Sequence, residues 1–235
     1  DNAGNLTSFT DALNHSTSYI YDDRGLRTTI TFPDSTTQLT TFDALGRKVA
    51  ATDQAGKIVR YRYDDLGRLV ELRQYLDQSL APNDANFQLP ASTSGVVSTS
   101  YTYDDVGNRI AQTDALGRTT RYAYDSLGRR VKRTLPLGQV ETFAYDAVGN
   151  LASRTDFNGR TTTFVYDTQN RLTEKRADAA HPSLALPHAP AKFAYTYNAL
   201  GQRLASQITN SASAILYTDT LAYDTRATNG NFSSI

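Results

Sequence analysis

Cysteine, methionine and tryptophan are all missing from this chain of 235 residues. Without cysteine there can be no disulfide, no thiolate-bound zinc and no thiol nucleophile. The same absence fits a secreted protein that avoids disulfides. An excess of charge of either sign is missing too: 24 basic residues balance 24 acidic ones, so the net charge is zero. That excludes nucleic-acid binding driven by a global positive field. No apolar run approaches the length of a membrane-spanning helix. The opening residues, DNAGNL, contain neither a start methionine nor a basic-then-apolar leader, and the chain is read as a piece of a longer polypeptide.

What is present is tyrosine, 15 of them beside 9 phenylalanines, in a chain of modest hydrophobicity (39%) and mean hydropathy −0.49. The tyrosines belong to a repeat. An Asp, once an Asn, follows an aromatic at positions 22, 43, 64, 104, 125, 146, 167 and 198, giving spacings of 21, 21, 40, 21, 21, 21 and 31. The two long spacings contain Pro/Ala/Ser-rich insertions at about 76–95 and 177–191, read as loops. Within most periods a second turn signal follows, as in TDALNH around Asp11, TDQAGK around Asp53, TDALGR around Asp114 and TDFNGR around Asp156. The unit is therefore strand, turn, strand, turn, with strands of ordinary length.

The turn chemistry is specific. In Asp-x-x-Gly the carboxylate accepts backbone N–H bonds at the start of a type I turn, and the Gly takes a left-handed conformation that forms a bulge. Asn170 and Asn14 replace that Gly, and asparagine tolerates the left-handed region better than most residues. The strand before each turn places aromatics two residues apart, as at Tyr19/Tyr21, Tyr61/Tyr63, Tyr122/Tyr124 and Phe164/Tyr166, so both face the same way. The expectation is an aromatic ladder on one face, broken at Thr40/Phe42. The opposite face, with Ile20, Thr41, Arg62, Thr102, Ala123, Ala144, Val165 and Thr196, is mixed and mostly small or polar.

The repeated motif resembles the RHS, or YD, repeats. It is carried by Tyr21, Asp22 and Gly25 in YDDRGLR, by Phe42, Asp43 and Gly46 in FDALGRK, and by Tyr63, Asp64 and Gly67 in YDDLGRL. It recurs as Tyr103, Asp104 and Gly107 in YDDVGNR, Tyr124, Asp125 and Gly128 in YDSLGRR, and Tyr145, Asp146 and Gly149 in YDAVGNL. Looser copies are Tyr166, Asp167 and Asn170 in YDTQNRL, and Tyr197, Asn198 and Gly201 in YNALGQR. The resemblance implies an all-β fold: a long antiparallel sheet of 21-residue hairpins, wound as part of a spiral shell. It also implies a role in bacterial polymorphic toxins or toxin-complex proteins, where such a shell encloses a C-terminal toxin domain. The family's core-associated DPxGL-type segment, with its self-cleavage residues, is not found in the sequence, and no toxin domain follows the repeats. A β-propeller, the rival fold, would alternate at about twice the period, and no such alternation occurs.

Other chemistry is thin. The acidic pairs Asp22/Asp23, Asp64/Asp65 and Asp104/Asp105 could be acid/base carboxylates or calcium ligands, but the first Asp of each has a turn duty and no calcium-loop spacing is present. His181 and His188 lie together in the second insertion without a third ligand, and His15 reads as an exposed turn residue. Arg47, Arg68, Arg129 and Arg171 are expected to pair with turn aspartates of neighbouring repeats or to lie over tyrosine rings. No Gly-x-Ser-x-Gly elbow occurs. The reading is a single repeat array over residues 1–235 that is not an enzyme and has no catalytic, cofactor or metal site. It would be secreted or at a cell surface, with the rest of its polypeptide and an enclosed toxin domain as partners, and with no nucleic acid and no membrane span. The alternative is an adhesive or carbohydrate-binding array that presents Tyr, Arg and Asp to glycans.

Overall fold

A computed structural model describes all residues except 82, 83, 85, 91, 92, 179–190, 224–231, 234 and 235. His181, His188 and most of the second insertion lie outside the described residues. The chain divides into two compact units, Asp1–Arg121 and Tyr122–Ile235.

In the first unit the strands are β1 (Ser8–Thr10), β2 (Ser16–Tyr21), β3 (Arg27–Thr31), β4 (Thr37–Phe42) and β5 (Lys48–Thr52). They continue as β6 (Ile58–Tyr63), β7 (Leu69–Tyr75), β8 (Val96–Tyr103), β9 (Arg109–Thr113) and β10 (Thr119–Tyr124), which carries the unit boundary. Each pairs antiparallel with the next in the chain. The second unit continues with β11 (Arg130–Thr134), β12 (Val140–Tyr145), β13 (Leu151–Thr155), β14 (Thr161–Tyr166), β15 (Leu172–Ala177), β16 (Lys192–Tyr197), β17 (Arg203–Thr209) and β18 (Ile215–Thr220). These too form an antiparallel meander. A short pair, β19 (Ala222–Tyr223) and β20 (Phe232–Ser233), follows. Helical structure includes a 3-10 turn, Gln78–Leu80, in the first insertion.

The turns follow the chemistry of the sequence. In Asp64–Gly67, the Gly67 amide donates to the Asp64 carbonyl at 2.9 Å, and the Asp64 amide donates to the Arg68 carbonyl at 2.9 Å. Gly67 has φ +78°, and Asn14 and Asn170 take φ +62° and +61° where glycine is missing. Ser35, at φ +66°, fills the same place in the turn that begins at Phe32.

A period of 21 is odd, and in a plain antiparallel meander an odd period would send alternate aromatics to opposite faces. The register explains why it does not. Tyr21 pairs with Arg27 but Ile20 pairs with Thr29, so Thr28 is an extra, bulged residue. Val49, Val70, Ile110, Ala152, Thr173 and Leu204 are skipped in the same way beside the turns that follow Phe42, Tyr63, Tyr103, Tyr145, Tyr166 and Tyr197. The hairpins β3–β4, β5–β6 and β13–β14 run without such a shift. The bulge at these seven turns thus restores the face of their motif aromatics.

The two faces differ in burial. Along β2 the side chains of Thr17, Tyr19 and Tyr21 are half-buried, while Ser16, Ser18 and Ile20 are exposed. All eight residues assigned to the opposite face, from Ile20 to Thr196, are exposed. Only Tyr75, Ala81, Val96 and Ala111 are buried apolar residues among the described ones. The low hydrophobicity of the sequence is therefore matched by a sheet with almost no conventional core.

Replacing Gly67 by Val forces a β-branched residue into the left-handed region, at a cost of about 1–2 kcal/mol. Gly67→Asn should cost markedly less. Thermal unfolding of the two variants checks this, and equal midpoints would argue against a turn that depends on the left-handed conformation.

Candidate functional site

A recurring piece of geometry is a clasp between tyrosine turns. In the turn at Asp64, Oδ1 accepts the amides of Leu66 at 3.1 Å and Arg68 at 2.8 Å, and Oδ2 accepts Arg68 Nε at 2.7 Å. The same Arg68 then reaches the next repeat. Its Nη1 donates to the Asp104 carbonyl at 3.0 Å, and its guanidinium lies 4.9 Å over the Tyr103 ring. The Tyr103 hydroxyl closes the loop by donating to the Leu69 carbonyl at 2.8 Å.

The pattern recurs. Arg47 lies 4.8 Å over Tyr63, whose hydroxyl donates to the Lys48 carbonyl at 2.9 Å. In the second unit Arg129 covers Tyr145 and Arg171 covers Tyr197, at 4.7 and 4.9 Å, with the hydroxyls donating to Arg130 and Leu172 carbonyls. Tyr21 and Tyr166 make the same hydroxyl bond to Leu6 and Leu151. Where Asn150 replaces the arginine, its amide bonds Asp146 and bridges to Asn170. Phe42 has no hydroxyl and cannot take part; Arg24 ties that junction instead by donating to the Asp43 carbonyl.

Gly25, Gly46, Gly107, Gly128, Gly149 and Gly201 all take positive φ in their turns. Asp22, Asp43, Asp104, Asp125, Asp146 and Asp167 each accept two turn amides, as does Asn198. The Arg129 amide, opposed by partial burial and assisted by the Arg129 guanidinium, holds Asp125 below the ordinary carboxylate value. Tyr124 contributes to β10 at the unit boundary. Of the two arrangements expected for Arg47, Arg68, Arg129 and Arg171, they lie over tyrosine rings, and their ion pairs are with the Asp of their own turn, not with that of a neighbour. The turn folds residue i+4 back over its own carboxylate, and the neighbouring repeat offers a carbonyl and a ring instead.

A cation–π ladder runs along the aromatic face as well. Arg27 lies over Tyr19, Lys48 over Tyr61, Arg109 over Tyr101, and Arg130 over both Tyr122 and Phe143. Glu141 is buried there, 2% exposed, between Arg133 at 2.9 Å and Arg154 at 2.6 Å.

The first insertion is not a plain loop. It folds onto the face opposite Tyr63 and is fastened by a buried polar network. Asp84, fully buried, accepts Tyr75 Oη at 2.6 Å, Arg73 Nη1 at 2.7 Å and the Leu89 amide at 2.8 Å. Glu71 accepts Arg73 Nε at 2.7 Å, Ser98 Oγ at 2.9 Å and Arg62 Nε at 3.2 Å. Phe87, at φ +57°, is covered by the guanidinium groups of Arg73 and Arg62. Burial works against ionisation of both carboxyls, yet the bonds from Tyr75, Leu89 and Arg73 at Asp84, and from Arg62, Arg73 and Ser98 at Glu71, hold them below the ordinary carboxylate value. Burial and the bond to Asp84 push the Tyr75 hydroxyl well above the usual tyrosine value. These groups satisfy one another, so what the network does is tether the insertion to the sheet.

His15 is exposed, with Nδ1 at 3.1 Å from Asp11 Oδ2. Among the described residues no group of three or more His, Asp or Glu is placed to hold a metal, and no helix is long and apolar enough to cross a membrane. Asp23, Asp65 and Asp105 are exposed beside their turn partners. The sequence reading missed the tyrosine hydroxyl bonds, Glu141 and the Asp84 network. Glu141 had a signal, a lone acid four residues before the motif tyrosine, where other repeats have Thr, Val, Gln or Phe, and the Asp84 network had one in the heavy alternation of Glu71, Arg73 and Tyr75 on β7.

The RHS Repeat family model matches residues 1–37, 42–75, 103–140 and 145–181. The chain belongs to the RHS repeat family. No curated protein matches the chain in sequence at a significant level. Among solved structures it is similar to the crystal structure of TcdB2–TccC3–Cdc42, with a TM-score of 0.59 and 17% identity over 94% of this chain. The crystal structure of TcdB2–TccC3 is similar to the same extent, at 0.57 and 16% over 94%. The chain spans 13% of the length of each of those chains. The fold is thus the antiparallel repeat sheet of those assemblies.

Tyr103→Phe removes one hydroxyl and leaves the Leu69 carbonyl without its donor, which should cost about 0.5–1.5 kcal/mol in urea unfolding. No loss would mean that the hydroxyl contributes nothing to repeat coupling. For the tether, the sign follows from the lowered carboxyls. The unfolded chain binds more protons in acid, so stability present above the ordinary carboxyl value near 4 is lost as pH falls through the folded-state values. Asp84→Asn should lower stability at pH 7 and flatten its decline from pH 5 to 3, read by urea titrations across that range. An unchanged slope would rule out Asp84 as a source of the acid sensitivity.

Proposed function

We propose that this chain is a wall segment of a larger secreted or cell-surface RHS-repeat protein of the bacterial toxin-complex or polymorphic-toxin kind. Residues 1–235 form one array of repeats. Its work is mechanical: the sheet separates an enclosed C-terminal toxin or effector domain from the cell that makes it. The motif residues from Tyr21 to Gly201 set the turns and the clasps and carry no catalytic role. The observation that supports this reading most directly is the clasp itself, repeated at successive tyrosine turns in both units. It gives the sheet strength along its length without a core that a second layer would have to cover. The likeness of 94% of the chain to the repeat sheet of TcdB2–TccC3 assemblies supports it further.

The test is limited proteolysis of the natural polypeptide that contains this segment. Its intact mass should be several-fold above 25.8 kDa. Its C-terminal region should resist protease while the repeats are intact. It should be degraded when the wall is weakened by glycine-to-valine changes at several turns. A C-terminal region cleaved at the same rate in both proteins would overturn encapsulation.

A further inference from the structure

One position in the first unit breaks the aromatic face. Tyr19, Tyr61 and Tyr101 each stand two residues before a motif aromatic, and Thr40 takes that place before Phe42. The cross-strand neighbour shrinks at the same point. Ile30 pairs with Tyr19, Leu72 with Tyr61 and Gln112 with Tyr101, but Ala51 pairs with Thr40. A lost ring leaves space unless a neighbour grows to fill it, and here both members of the pair are small. The result is a hollow of about 440 Å³ lined by Gln38, Thr40, Lys48, Ala51, Val59 and Gln74. The register places all six on the aromatic face. A second hollow of about 360 Å³ shares Gln38, Thr40 and Lys48 with it and extends to Arg27. Both are of the size of small-ligand sites.

The charges around the gap have one sign. Strands β1–β10 contain one acidic residue, Glu71, and its pairing with Arg62 puts it on the opposite face. Arg27 and Lys48 pair with Tyr21 and Phe42 and so lie on the aromatic face. Arg27 sits 5.4 Å over the Tyr19 ring and Lys48 5.3 Å over the Tyr61 ring, so the rings on both sides of the gap carry cations. The turn residues Asp53 and Lys57 stand at the rim, and Asp53 Oδ1 accepts the amides of Ala55 and Lys57. An aromatic ring from outside would fill the vacancy in the ladder beside cations already set against ring faces. A carboxylate next to that ring would meet Lys48 and Arg27 and no acid of the same face. We propose that the gap at Thr40 is a binding site for a peptide segment that presents an aromatic side chain beside a carboxylate. The site does not depend on whether a domain is enclosed behind the sheet.

The probe is the tripeptide Asp-Phe-Asp, acetylated and amidated at its ends, titrated into the 235-residue chain with backbone amide chemical shifts as the readout. It should bind saturably with a Kd of about 1 mM, and the shifted amides should include those of Thr40, Ala51 and Val59. Asp-Ala-Asp should bind at least about tenfold more weakly, and Asn-Phe-Asn about threefold more weakly. Thr40→Tyr restores the residue type of the other repeats and should weaken binding of Asp-Phe-Asp by at least about tenfold without lowering the thermal midpoint. Ala51→Leu, which fills the gap from the next strand, should do the same, and Lys48→Gln should weaken binding about threefold. Ile20→Ser, on the opposite face, should leave it unchanged. Absence of saturable binding up to about 10 mM overturns the proposal. So does equal affinity in wild type, Thr40→Tyr and Ala51→Leu, which would place the ring elsewhere. Equal binding of Asp-Ala-Asp overturns it as well, because charge attraction alone would then account for the contact.

Discussion

The structure depends on one contact: the arginine of a turn held against the tyrosine of the next repeat, with the tyrosine hydroxyl bonded back to the chain just beyond that arginine. Each of its parts is modest. A neutral hydrogen bond contributes about 1 kcal/mol and a surface cation–π pair about 0.5–1 kcal/mol. Their value lies in repetition and direction. Four buried apolar residues among those described cannot stabilise some twenty strands by apolar burial alone. The clasp supplies stabilisation locally, between a repeat and its neighbour. That is the regime of repeat arrays, in which stability is close to a sum of units and nearest-neighbour interfaces.

Much of this was legible. Asp64 and Gly67 dictate their turn through side-chain acceptance and left-handed backbone, and both signals are local enough to be read from four residues. The alternation of Tyr61 and Tyr63 dictates a strand with one aromatic face. The bulge was not legible, because the skipped residues are Thr28, Val49, Val70, Ile110, Ala152, Thr173 and Leu204 and share no chemistry. Its necessity was nonetheless implicit in the odd period. A 21-residue repeat cannot keep its tyrosines on one face unless one residue per repeat drops out of register. The bulge therefore follows from the spacing once the face is known.

The first insertion shows where local reading stops. A stretch rich in Pro, Ala and Ser reads as a loop, yet Asp84 within it is fully buried. What buries it is Arg73 and Tyr75 on β7, and their partnership with Asp84 cannot be seen from composition. Those two residues point to the face that elsewhere carries small or polar groups, so on β7 the period-two pattern already departed from the rest of the array. Glu71, Arg73 and Tyr75 in alternation form an unusually heavy stripe on a face that needs none unless something covers it.

The bulge also bears on why such a sheet suits a wall. A bulge bends its strand and increases local twist. It stands beside seven of the tyrosine-type turns and is absent from the alternate hairpins β3–β4, β5–β6 and β13–β14, although β17–β18 carries one at Leu216, and it adds a local distortion each time. The clasp then fixes neighbouring turns at a set approach on that edge, through Arg68 and Tyr103 as through Arg47 and Tyr63. Among the described residues no arginine–tyrosine clasp of this kind is seen along the other edge, where the turn arginine Arg118 pairs with its own Asp114 and is mostly exposed. A sheet held at defined spacing on one edge and less constrained on the other has a built-in asymmetry. That asymmetry is written by the motif itself, in the tyrosine that only one of the two turns per repeat possesses.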